Sequence, residues 1–216
     1  MTETGLFLTL EGIDGSGKST QMRLLADVLR ARAYRVLTTC EPGGTPLGKL
    51  LRRAFLESEE QVEPIAELLL FAADRSQHVQ HLILPALKEG KIVISDRYAD
   101  STRVYQGAGR GFAPDVIEEV IALATGGLKP DLTLFYDIPV ADALRRTQSR
   151  VDKGRAHNRM DKEKARFYEL AREGYLAIAA REPDRFRIIE AKGTTEEVHQ
   201  KTMSLIEEFL AGREKK

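Results

Sequence analysis

Residues 6–20 read LFLTLEGIDGSGKST. Residues 6–10 are a short, mostly apolar run, the signature of a strand buried on both faces. Glycines at 12, 15 and 17 then let the chain turn sharply. From residue 19 to 33 the apolar positions Met22, Leu24, Leu25, Val28 and Leu29 follow a helical period. Strand, glycine-rich turn and helix are the context that gives meaning to Gly12-Ile13-Asp14-Gly15-Ser16-Gly17-Lys18-Ser19, which fits G-x-x-x-x-G-K-[ST]. In such a loop successive backbone N–H groups point inward at phosphate oxygens, and the following helix adds its positive end. Lys18 is placed to reach the β- and γ-phosphates of a nucleotide, and the Ser19 hydroxyl to bind magnesium, with Thr20 next in the same turn. The expectation is an ATP site formed by residues 12–20.

The rest of the chain repeats the alternation. Strands are expected at 35–39, 91–95, 132–136 and 186–189, and helices at 47–56, 63–87, 114–124, 140–150, 162–181 and 195–210. Pro64 suits the first turn of the long helix. That helix is apolar on more than one face, through Ile65, Leu68, Leu69, Phe71, Val79, Leu82 and Ile83, so it needs cover on two sides, from its own core and from a partner subunit. Five short apolar strands alternating with helices predict an α/β fold of the P-loop NTPase type, with a parallel sheet covered on both faces. No internal repeat or low-complexity linker divides the chain, and 1–216 reads as one domain. Residues 149–159, SRVDKGRAHNR, are the one polar, turn-rich segment of any length and read as a mobile lid at about 149–160.

Composition narrows the classes of function. Net charge is +0 and 42% of residues are hydrophobic, so a core is available and no broad basic footprint marks a nucleic-acid polymer as partner. No run approaches the ~20 apolar residues of a membrane span. The start, MTETGLFLTL, lacks a charged n-region and reads as a first strand rather than a signal peptide. One cysteine, Cys40, cannot form an intrachain disulfide and fits a reducing, cytoplasmic setting; it reads as a small buried side chain, not a nucleophile. His78, His81, His157 and His199 have no metal-ligand spacing and read as structural or surface residues. The guanine motif N/T-K-x-D of a GTPase is missing, since Asn158 is the sole asparagine. A P-loop protein of 216 residues with a basic lid segment fits a kinase of small molecules.

Five stretches sharpen this: EGIDGSGKST at 11–20, EPGGT at 41–45, LLLFAADR at 68–75, SDRYADSTRVYQGAGRG at 95–111 and PDLTLFYDI at 130–138. In order and spacing they resemble the thymidylate kinases nearly end to end, and the combination of FAADR, DRY and YQGAGRG is specific. The resemblance implies a five-stranded parallel sheet, a mobile lid, a homodimer, ATP as donor, magnesium as cofactor and dTMP as acceptor. It implies that Asp96 acts near the magnesium with Ser19, and that Arg97 grips the acceptor phosphate, for which a guanidinium fork is suited. Phe71 and Arg75, one helical turn apart, would stack on the thymine ring and hydrogen-bond its carbonyl. Thr102 would contact the ring, Tyr105 would lie beside the sugar and disfavour a 2′-hydroxyl, and Gln106 would line the same pocket. Asp14 would meet the sugar 3′-hydroxyl, while Glu41 would order the loop or a magnesium-bound water.

Within the family, the catalytic arginine sits either in the phosphate loop or in the lid. Gly15 and Ser16 follow Asp14 here with no arginine, so the bacterial-type lid pattern applies. Arg150 is the first candidate, with Arg155 and Arg159 behind it; Asn158, in NRMD, departs from the usual aspartate. Arg146 would stack on adenine, with the 190–194 loop closing over the ring. Competing readings are a deoxynucleoside kinase, another nucleotide kinase and a nucleotide-binding regulatory module without catalysis. A deoxynucleoside kinase needs a carboxylate base near the 5′-hydroxyl, usually in an E-R-S-type motif, where this chain has Asp96-Arg97-Tyr98.

Overall fold

The computed structural model describes residues 5–58, 60–152, 163 and 165–214. Five strands, β1 (Leu6–Glu11), β2 (Val36–Cys40), β3 (Ile92–Asp96), β4 (Leu132–Asp137) and β5 (Phe186–Glu190), form one parallel sheet in the order β2-β3-β1-β4-β5. β1 is central, with Leu8 opposite both Ile94 and Leu132. Its side chains alternate between faces. Leu6, Leu8 and Leu10 join one core with Leu25, Leu29, Tyr175 and Ile206, while Phe7 joins another with Leu68, Val79, Ile83 and Ile121. Every residue of β1 is therefore buried, which is why it reads as an apolar run rather than an alternating one.

The first core is closed by α1 (Lys18–Ala31), α8 (Ala165–Arg181) and α9 (Thr195–Glu214), and the second by α3 (Pro64–His78) and α6 (Pro114–Thr125). The remaining helices are α2 (Pro46–Leu56), α4 (Leu84–Lys88), α5 (Ala99–Thr102) and α7 (Val140–Asp152). Local sequence explains several ends. The Thr45 side chain caps α2 by accepting from the Gly48 N–H at 3.0 Å, and Gly126 ends α6 in the left-handed conformation at φ 60°.

Two stretches differ from expectation. The predicted helix 63–87 is interrupted by a π turn at Val79–Ile83 before α4. Pro85 has no N–H, and its ring would crowd the carbonyl four residues back, so widening the turn relieves the clash. The segment after DRY, which falls outside every helix expected above, is helical: α5 runs directly into a second π turn, Arg103–Gly109, which contains Gly107 and Gly109. In addition, α7 continues to Asp152, so the first residues of the expected 149–160 lid are helical. Cys40 is partly exposed at the end of β2, not fully buried.

Candidate functional site

The carboxyl ends of β1 and β3 meet where a phosphate loop needs them, since ligands of open α/β sheets bind outside these ends. Gly12, Gly15 and Gly17 have φ of 142°, 89° and 100°. Gly15 also packs so tightly on the Ala143 carbonyl that a Cβ there would clash. The Lys18 ammonium curls back over the loop, donating to the carbonyls of Gly12 at 2.8 Å and Ile13 at 3.2 Å. Burial, and then the neighbouring Arg97 charge, pull it down to about 8. The Ile13 side chain belongs to the core, so that residue offers the loop only its backbone. The Ser16 hydroxyl is buried without a hydrogen-bond partner among the described residues. Ser19 donates to Asp96 Oδ2 at 2.8 Å, bringing a hydroxyl and a carboxylate together at the loop's edge.

Beside the loop lies a cleft of about 360 Å³ lined by Gly15, Gly17, Thr20, Arg146, Gly193 and Thr194. Arg146 Nη1 donates to the Gly15 carbonyl at 3.4 Å. The structure thus brings Arg146 and the 190–194 loop to one cleft. Sequence reading missed Gln21, whose amide donates to the Thr195 carbonyl at 2.9 Å and ties α1 to the start of α9.

On the other side of Asp14 and Arg97 is a pocket of about 120 Å³, into which Glu41, Phe71, Arg75, Thr102, Tyr105 and Gln106 all converge. Arg97 has φ of 76°, a left-handed conformation that redirects its side chain after β3. Its Nη2 donates to Asp14 Oδ1 at 2.8 Å, and its guanidinium lies 4.9 Å from the centre of the Tyr105 ring. Arg75 is 2% exposed, and three of its five donors are committed: Nε to Glu41 Oε2 at 2.8 Å, Nη1 to Thr102 Oγ1 at 2.8 Å and Nη2 to the Tyr98 carbonyl at 2.9 Å. Its carboxylate partner is Glu41, not the adjacent Asp74. Glu41 also meets His78 Nδ1 at 2.8 Å, and His78 Nε2 lies 2.7 Å from Thr39 Oγ1. Glu41 is thus the buried anchor of Arg75 and His78. The Phe71 ring packs on Phe55 at 4.6 Å, and the Gln106 amide donates to the buried Glu67 at 2.8 Å.

Behind this cavity, Glu11 at the end of β1 is fully buried. Burial first, and then the Asp100 charge, push its carboxyl up to about 7. Asp74 is raised to about 6, by burial and then by Glu41. Arg52 lines the mouth of the cavity and donates to the Pro42 carbonyl at 2.8 Å. Sequence reading passed over both Glu11 and Arg52. In LRRAF, Arg52 carries no signal separating it from a solvated surface residue. Glu11 did carry one, an acid directly between an apolar strand and the first loop glycine. Arg150 lies on α7 with its side chain outside the described residues, and Arg155 and Arg159 lie outside them entirely.

A parallel sheet, a glycine-built anion loop and an adjoining pocket lined by arginines define a P-loop nucleotide-binding protein that brings two ligands together. Comparison with known proteins narrows this. The thymidylate kinase family model matches residues 10–202. The thymidylate kinase of Nitratidesulfovibrio vulgaris is 46% identical over 210 residues, covering 95% of this chain and 98% of that protein. That of a Synechococcus strain is 45% identical over 213 residues, covering 97% and 100%. The crystal structure of thymidylate kinase from Ehrlichia chaffeensis superposes with a TM-score of 0.76 at 34% identity, covering 94% of this chain and 98% of that one. The chain belongs to the thymidylate kinase family.

Proposed function

We infer that this protein transfers the γ-phosphoryl group of ATP to dTMP, giving dTDP and ADP. The observation that carries the reading is the shared wall of Asp14 and Arg97, which sets an arginine-lined pocket directly beside the phosphate loop. The acceptor is a phosphate monoester, already anionic near neutral pH, so no general base is needed. Its oxygen attacks the γ-phosphorus as the bond to the β–γ bridging oxygen breaks. The enzyme's task is to hold two polyanions in line and neutralise them.

Each residue then has a role. The loop amides of 12–17 and Lys18 hold the donor phosphates, with Thr20 and Arg146 toward the nucleoside. Ser19 and Asp96 offer the hard oxygen ligands magnesium prefers, few enough to leave positions for phosphate oxygens and water. Held by these two residues, magnesium would supply neutralisation of the donor's charge. Arg97 holds the acceptor phosphate and Asp14 the sugar. Phe71 stacks on the base, while the two uncommitted N–H groups of Arg75 and the hydroxyl of Thr102 read its edge. Tyr105 flanks the sugar, Gln106 completes the pocket, and Glu41 keeps Arg75 in place. A lid at about 149–160 closes over the phosphates, and Arg150, before Arg155 or Arg159, stabilises the transferred group while water is excluded.

We read 1–216 as one kinase domain working in the cytoplasm as a homodimer. Among the described residues no helix is long and apolar enough to cross a membrane. Leu47 and Leu50 of α2 and Ile65 and Leu69 of α3 are 45% to 55% exposed, an apolar face suited to a second copy.

A coupled ADP-release assay across nucleoside monophosphates tests the activity. We expect dTMP to support turnover above every other acceptor; thymidine supporting it instead would establish a nucleoside kinase. Arg150→Ala is expected to lower kcat ~10³-fold or more while changing dTMP affinity little, and an unchanged kcat removes Arg150 from the mechanism.

A further inference from the structure

Arg97 is held on three sides. Asp14 accepts from Nη2, while Nη1 lies 3.2 Å from Ser101 Oγ and 3.5 Å from the Tyr175 hydroxyl. Those two hydroxyls, 3.1 Å apart, come from α5 and α8, and nothing in their sequence neighbourhood links them. What they share is Glu11. Its Oε2 accepts from Ser101 Oγ at 2.6 Å and from the Tyr175 hydroxyl at 2.8 Å, and its Oε1 accepts from the Tyr98 N–H at 2.8 Å.

A hydroxyl has one proton to donate. With an ionised Glu11, both protons are drawn toward the carboxylate, leaving oxygen lone pairs to face the guanidinium. Without it, either hydroxyl could turn its proton toward Arg97, and an acceptor would become a repelling dipole. We propose that Glu11 is a positioning residue for the acceptor phosphate: acting through the Ser101 and Tyr175 hydroxyls, it sets the orientation of Arg97. Glu11 itself is fully buried and lines neither the pocket nor the clefts beside the phosphate loop. The chain of contacts runs from the last residue of β1 through α5 and α8 to the phosphate-gripping guanidinium. The inference rests on the reading of Arg97 given above.

The test is a mutant cycle read in steady-state kinetics. Glu11→Gln preserves shape, but its amide donates toward the hydroxyls rather than accepting from them. We expect KM for dTMP to rise about tenfold while KM for ATP changes less than about twofold. The double variant Ser101→Ala/Tyr175→Phe, which keeps Glu11, should raise KM for dTMP similarly. Adding Glu11→Gln to it should cost little more, because the path is already cut. Additive effects in the triple variant, or KM for ATP rising in step with KM for dTMP, would overturn the proposal. Should Glu11→Gln fail to fold, the double variant alone decides: an unchanged KM for dTMP refutes the path through the hydroxyls. Failure of wild-type protein to turn over dTMP would instead refute the reading of the site.

Discussion

The phosphate loop is a single run of eight residues, 12–19, shaped by glycine backbones and closed on itself by Lys18. The cavity next to it draws side chains from the loop after β2, from α2 and α3, from the end of β3 and from α5 and its π turn. The loop presents mainly main-chain N–H groups, which every residue but proline carries. The cavity presents guanidinium and carboxylate groups, each fixed by another buried partner, as Glu41 fixes Arg75 and Glu11 reaches Arg97 through two hydroxyls. One site is local; the other is a network in which removing Glu41 or Arg75 takes the opposite charge from a buried partner.

That difference predicts different failures. The largest effect is expected at Arg75→Ala. It takes the guanidinium from buried Glu41, which keeps His78 alone as its side-chain partner among the described residues, so thermal or denaturant unfolding should show a loss of about 3–5 kcal/mol, together with loss of dTMP binding. Stability within about 1 kcal/mol of wild type would show that the network is looser than its geometry. Next, Lys18→Ala should lower kcat by ~10²–10³-fold, as loss of a charged donor at developing charge does elsewhere. It should leave calorimetric binding of dTMP nearly intact, so equal loss of both would erase the distinction between the two regions. Gly15→Ala combines a φ of 89° with a clash at the Ala143 carbonyl, and should cost about 1–3 kcal/mol and weaken ATP binding but not dTMP binding.

The smallest effect per step, and the one that separates the regions by sign, is the change in stability over a single pH unit. Glu11 is raised from 4.5 to about 7 and Asp74 from 3.8 to about 6, so across that window the folded chain holds protons the unfolded chain has lost. Their contribution is complete below the ordinary carboxylate values and is lost as pH rises toward 7. The slope should be of the order of 1 kcal/mol per pH unit. Lys18, lowered from 10.5 to about 8, acts in the opposite sense: stability recovers as pH rises from about 8 toward 10.5. Denaturation midpoints of wild type, Glu11→Gln and Lys18→Ala across pH 4 to 10.5 would check both limbs, with Glu11→Gln removing its share of the acid limb, Asp74 keeping the rest, and Lys18→Ala flattening the alkaline one.

Much of this was legible in the chain. The five strands fall within a residue or two of their expected bounds, because each is a short run of apolar or β-branched residues flanked by turn residues, buried on both faces in β1, β3 and β4 and partly exposed in the edge strands β2 and β5. The phosphate loop was readable because its function needs glycine at fixed spacing. Phe71, Arg75, Thr102 and Tyr105 were picked out only through family resemblance; by pattern alone Phe71 is a core aromatic and Arg75 one half of a surface pair. The π turn before α4 was foreshadowed by Pro85, but that after α5 was not, since ADSTRVYQGAG has no single residue that demands a wider turn.

Sequence alone determined the parallel α/β architecture, the donor loop and the family, since all three depend on local period, glycine placement and motif order. Only the tertiary structure decided that Glu41 anchors Arg75 and His78, that Arg52 stands at the cavity mouth, and that Glu11 meets Tyr175 across 164 positions of chain. Those pairings come from distant elements, and no local pattern records which buried carboxylate will satisfy which buried donor until packing has excluded water from both.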